Sequence, residues 1–137
     1  MTAAIQPAWT DFQDVLAETL GAEPGDVHPQ SNFFSDLGGE SIDLIDLGFR
    51  CQKTFGVTVA FQTMVPKGIE TDDEGRLTPA SRAAILAALP IRETDIPDGP
   101  FHYQQLVTAR VLHELVAAQA RFGRANQTAS SPGVDAA

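Results

Sequence analysis

Phe34-Ser35-Asp36-Leu37-Gly38-Gly39-Glu40-Ser41-Ile42-Asp43-Leu44-Ile45 is the stretch on which the reading of this chain turns. Gly38-Gly39 permits a sharp backbone turn and keeps the approach to Ser41 sterically open. A helix should begin near Ser41 and run to about Phe55, closed by Gly56. Along it, Ile42, Ile45, Phe49 and Phe55 mark one face, while Asp43, Asp46, Arg50 and Lys53 mark another. A hydroxyl at a helix start lies near unpaired backbone N–H groups and the positive end of the helix dipole. That environment suits a phosphate ester. The simpler reading makes Ser41 an N-cap and nothing more.

Upstream, Trp9, Phe12, Val15, Leu16 and Leu20 recur at spacings of three and four, which predicts an amphipathic helix stopped by Gly21. Residues 22–40 hold too many breakers for a regular element, and Phe33, Phe34 and Leu37 should fold back from this loop onto the core. Downstream, Val57 to Phe61 reads as a short extended piece with nothing to pair with. Thr78-Pro79 is an N-cap followed by proline at the first helical position, opening a helix that runs to Leu89 before Pro90. Thr108 caps a last helix, with Val107, Val111, Leu112, Leu115 and Val116 on one face and an end near Phe122. The expected fold class is all-α: a small bundle with long connecting loops. Residues 1–7 read as a flexible start, 8–122 as the domain, and 123–137 as a disordered tail.

The 137 residues suffice for one domain and carry a net charge of −9. Nine of the eighteen acids fall in residues 1–60 against only Arg50 and Lys53. Such a charge disfavours nucleic acid as a partner, because a phosphate backbone would be repelled. One cysteine, Cys51, excludes an internal disulfide and reads as an inert buried thiol. No apolar run is long enough for a membrane span, and the first residues lack signal-peptide character, so a cytoplasmic location is expected. His28, His102 and His113 share no metal-ligand spacing, and the acidic turn at 71–75 lacks the ligand pattern of a calcium loop. No metal site and no self-sufficient catalytic constellation is expected, so the chain does not read as an enzyme.

Asp36-Leu37-Gly38-Gly39-Glu40-Ser41-Ile42-Asp43 resembles the phosphopantetheine-attachment motif of acyl carrier proteins, usually D-L-G-x-D-S-L-D. Phe33-Phe34 before it, Phe55-Gly56-Val57 after it, and the first and last helices sit in that family's order, over roughly residues 8–65 and 101–120. The resemblance implies that Ser41 is the attachment point for 4′-phosphopantetheine, delivered from coenzyme A by a separate phosphopantetheinyl transferase with magnesium. It implies a monomeric carrier of acyl thioesters that serves acyl-loading, elongating and acyl-transfer enzymes of fatty-acid or specialised lipid metabolism. It also makes Glu40, Asp43, Leu44, Asp46 and Leu47 the partner-docking residues, and leaves Ile45, Phe49, Val111 and Leu115 to pack the core or line a chain cleft.

The chain departs from the family pattern at three places. Glu40 stands where Asp commonly precedes the serine, Arg50 and Lys53 make the second helix less acidic, and 51 residues separate Gly56 from Thr108. Residues 66–100 therefore read as an insertion before the last helix, its own helix packing as a static layer or as a movable lid over the cleft between the second and last helices. An aminoacyl, peptidyl or polyketide-type carrier, for which Gly-Gly before the serine is common, is the alternative within the family. A helical interaction module that is never modified is the alternative outside it.

Overall fold

The computed structural model describes residues 7–121. It is all-α, with helices α1 (Trp9–Leu20), α2 (Ser41–Phe55), α3 (Pro79–Ala88) and α4 (residues 109–121), joined by long connections that hold four short 3-10 turns. Among the described residues the only β pairings are two isolated bridges, Asn32 with Thr108 and Thr71 with Leu77. The expected flexible start and disordered tail lie almost wholly outside the described residues.

The helix ends follow local chemistry. Gly21 and Gly56 close α1 and α2 in the left-handed conformation, at φ 67° and 72°. Thr78 caps α3 by accepting the Ser81 N–H at 3.2 Å, with Pro79 in the first turn. Thr108 caps α4 by accepting the Val111 N–H at 3.3 Å. The next free donors of α4, on Ala109 and Arg110, reach the carbonyls of Ser31 and Pro29 at 2.9 and 2.8 Å. The loop before α2 thus completes the N-terminus of α4.

The main core is built from α1 (Phe12, Val15, Leu16), the loop (Val27, Phe33), α2 (Leu44, Leu47, Cys51, Phe55), the following turn (Val57, Phe61) and α4 (Leu112, Val116). Phe33 is fully buried and Phe34 and Leu37 partly so, as the loop's apolar anchors require. Val57 to Ala60 pairs with no strand, and Phe61 opens a 3-10 turn instead.

Of the face Ile42, Ile45, Phe49 and Phe55, α2 buries only Phe55. Leu44 and Leu47 are 1% and 0% exposed, whereas Ile42, Ile45 and Phe49 are 68%, 42% and 67% exposed. Leu44 and Leu47 therefore cannot contact a partner, and Ile45 and Phe49 do not pack the core; Val111 does, and Leu115 is half-buried. Both apolar stripes have helical spacing, so periodicity alone cannot choose between them. The buried stripe wins because Leu44, Leu47, Cys51 and Phe55 run the whole length of α2. The other stops at Phe49, short of Gln52 and Lys53.

The segment 66–100 forms a second, smaller core. Ile85 and Leu89 of α3 pack with Ile96 and Leu106, and no residue of α2 takes part. The cleft between α2 and α4 is therefore not where α3 packs: its apolar residues are covered by Ile96 and Leu106. Met64 and Leu115 touch both cores and join them. Arg110 of α4 fastens the segment further, reaching Pro90 O at 3.2 Å, Asp95 at 3.3 Å and Glu114 at 2.7 Å.

Candidate functional site

Residues 32–39 are tied into a compact knot that delivers the chain to Ser41. Asn32 is its centre: its Oδ1 accepts the N–H of Phe34 at 2.9 Å and of Ser35 at 3.0 Å, and its own N–H donates to Asp36 at 2.7 Å. The Asn32 carbonyl accepts from Asp36 and Leu37, and Gly39 donates to Phe33 O at 2.8 Å. Asp36 therefore serves the loop's own geometry. Asn32 was not singled out from the sequence, although an asparagine ahead of a turn that it closes with its side chain is a recognisable signal.

The two glycines do different work. Gly38 has φ 73°, a conformation that side chains with a Cβ resist, and its surroundings are open. Gly39 has no such φ but lies against the buried Phe33 ring, where an added Cβ would stand 2.5 Å from Cε2. Close packing of Phe33 on bare backbone fixes the loop two residues before Ser41.

Ser41 is exposed and is the first residue of α2, with Glu40 as the extended N-cap at φ −122° and ψ 168°. The reading of Ser41 as the N-cap is thereby corrected: the cap position falls one residue earlier, because Asp43 accepts the Glu40 N–H at 2.8 Å and anchors the turn there. The Ser41 hydroxyl is left open to solvent beside the positive end of a 15-residue helix, which favours an anion bonded to it. The donor chemistry, exposure and open approach all fit a phosphodiester-linked arm at this position.

The acids expected to meet partners are partly engaged within the chain. Glu40 is exposed, Asp43 holds the helix start, and Asp46 pairs with Arg50 at 3.1 Å. Arg50 also reaches Glu18 of α1 at 3.5 Å. Beside them runs the exposed apolar ridge Ile42–Ile45–Phe49, of which Ile45 and Phe49 were expected to pack the core or line a chain cleft. On one flank of Phe49, Ile45, Gly48, Val59 and Ala60 line a groove of about 160 Å³. On the other, Glu18, Asp46, Arg50 and Lys53 line one of about 330 Å³.

The remaining candidates are structural. Cys51 is fully buried, and burial pushes its thiol up to about 12 from 9.0, which makes it a poor nucleophile. His113 stacks near Trp9 and Phe12 and sets Nε2 2.9 Å from Pro7 O. Among the described residues no group of three or more His, Cys, Asp or Glu side chains could hold a metal ion. Among them, too, no helix is long and apolar enough to cross a membrane.

Comparison with known proteins points to the same segment. Residues 11–65 match the family described as "Phosphopantetheine attachment site". The acyl carrier proteins of Helicobacter pylori strains G27 and HPAG1 are each 37% identical to this chain over 49 residues, or 36% of its length. That alignment spans 63% of each of those proteins. No solved structure matches the chain. The match that runs from α1 through α2, together with the open serine at the start of α2, makes this segment similar to phosphopantetheine-attachment domains and to acyl carrier proteins.

Proposed function

We propose that Ser41 accepts 4′-phosphopantetheine and that the loaded protein carries acyl groups as thioesters between enzymes, catalysing no reaction itself. The observation that carries this reading is the exposed Ser41 hydroxyl at the head of α2, behind the Gly38-Gly39 turn, within the matched segment 11–65. In the attachment step the Ser41 oxygen bonds to the β-phosphorus of coenzyme A and the diphosphate bond breaks. Adenosine 3′,5′-bisphosphate leaves, and the hydroxyl proton passes to a base supplied by the transferase. The arm, once attached, supplies a terminal thiol for thioester formation.

The chain's own residues do the rest. The helix N-terminus stabilises the phosphodiester charge, and the knotted loop holds Ser41 away from the core where a second protein can reach it. Docking falls to this side of α2: the exposed Glu40 and the half-buried Asp43 and Asp46 supply charge, and the exposed Ile42, Ile45 and Phe49 supply apolar contact. The groove lined by Ile45, Phe49, Val59 and Ala60 offers an apolar shelter on this helix for the start of a chain. The extra core at 66–100 is an adaptation to particular partners or cargo in a specialised lipid pathway, and the cytoplasm, with its coenzyme A, is the compartment that suits this work. Incubation with coenzyme A, magnesium and a phosphopantetheinyl transferase should add one phosphopantetheine to the intact mass. The mapped modification should be Ser41. An unchanged mass with several transferases would instead favour an unmodified interaction module.

A further inference from the structure

We propose that Tyr103, in the turn before α4, is a positioning residue for Ser41 that braces the attachment loop. The proposal rests on the reading of Ser41 as the acceptor. Tyr103 opens the 3-10 turn Tyr103–Leu106, whose Leu106 is buried in the second core. Its ring meets Phe34 edge-on, with centroids 6.0 Å apart and planes at 82°. Phe34 in turn meets Phe33 at 5.1 Å and 77°, and the Phe33 ring occupies the space beside Gly39 where a Cβ would stand. A row of three edge-to-face rings thus runs from the turn before α4 to the residue two before Ser41, with the geometry such rings prefer.

Polar contacts reinforce the row. The Asn32 side chain that organises the loop donates through Nδ2 to Gln104 O at 2.8 Å. Phe33 donates to Val107 O at 2.8 Å, and Asn32 bridges to Thr108. The attachment loop is therefore held from its far side by residues 103–108, of which Tyr103 and Val107 pack with the main core and Leu106 with the second.

The test uses the full chain, coenzyme A with magnesium and a purified phosphopantetheinyl transferase, below the unfolding temperature of every variant. Tyr103→Ala should lower kcat for Ser41 modification about tenfold, since a small displacement of a reacting group costs rate steeply. KM should stay within about twofold, because the docking face of α2 is untouched. Tyr103→Phe, which keeps the ring, should restore the rate. Leu89→Ala, which loosens the second core without touching the ring row, should keep kcat. In Tyr103→Ala the amide resonances of Gly39 and Ser41 should shift, and in Leu89→Ala they should not. Modification of Tyr103→Ala at the wild-type rate, or equal slowing of Leu89→Ala, would overturn the proposal. Absence of any mass gain in the wild-type chain would instead defeat the carrier reading on which it rests.

Discussion

Gly39→Ala is the sharpest available probe of how the loop is built. The added Cβ would lie 2.5 Å from Cε2 and 2.8 Å from both Cδ2 and Cζ of Phe33, a ring that is fully buried and cannot swing into solvent. Either the ring leaves its packing or the backbone before Ser41 shifts. Overpacking of this kind costs about 1–3 kcal/mol. A loss of about 2 kcal/mol would lower Tm on the order of 10 °C in a domain near 100 residues. Gly25→Ala is the control, since its Cβ meets nothing and its φ is ordinary; it should be neutral or stabilising by about 0.4–1 kcal/mol. Urea unfolding with unchanged slope measures both. In a Phe33→Leu background the Gly39→Ala penalty should shrink by at least about 1 kcal/mol, because the clashing ring atoms are gone. A Gly39→Ala protein as stable as wild type, or a penalty independent of residue 33, would refute the packing argument.

Other expectations follow from the same geometry. Ser41→Ala should abolish the phosphopantetheine mass gain yet change stability by less than about 0.5 kcal/mol, because the serine is the first helical residue and not the cap. Asp43→Ala should cost about 1 kcal/mol by freeing the Glu40 N–H, measurable in the same urea titration. Leu47→Ala should cost about 2–5 kcal/mol, whereas Phe49→Ala should leave stability within about 0.5 kcal/mol and raise KM with the transferase; the reverse order would restore the opposite face of α2 to the core. Cys51 should resist alkylation in the folded protein at pH 8 and react on unfolding. Since its thiol titrates at 9.0 when unfolded and about 12 when folded, stability should fall as pH rises above 9.0, because the unfolded chain loses its proton first.

How the acceptor sits was only partly legible in advance. The Gly38-Gly39-Glu40-Ser41 signal marks the turn and the helix start, because both depend on neighbours within a few residues. The covered face of α2 was misread at Leu44, Leu47, Ile45 and Phe49, because both stripes satisfy the same local spacing. Asn32 went unnoticed for a similar reason: its partners are backbone groups of the folded loop and the distant Gln104 carbonyl.

By itself, then, the amino-acid sequence determined an all-α chain with four helices, their stops at Gly21 and Gly56, and their caps at Thr78 and Thr108. Those features are set by φ preference and by hydrogen bonds to near neighbours, which short segments carry with them. Tertiary structure alone decided which stripe of α2 is covered and that α3 belongs to a second core. It also decided that Phe33, Phe34 and Tyr103 stand in one row behind Ser41. These depend on contacts between residues tens of positions apart, where the total apolar surface buried, and not any local pattern, selects the arrangement.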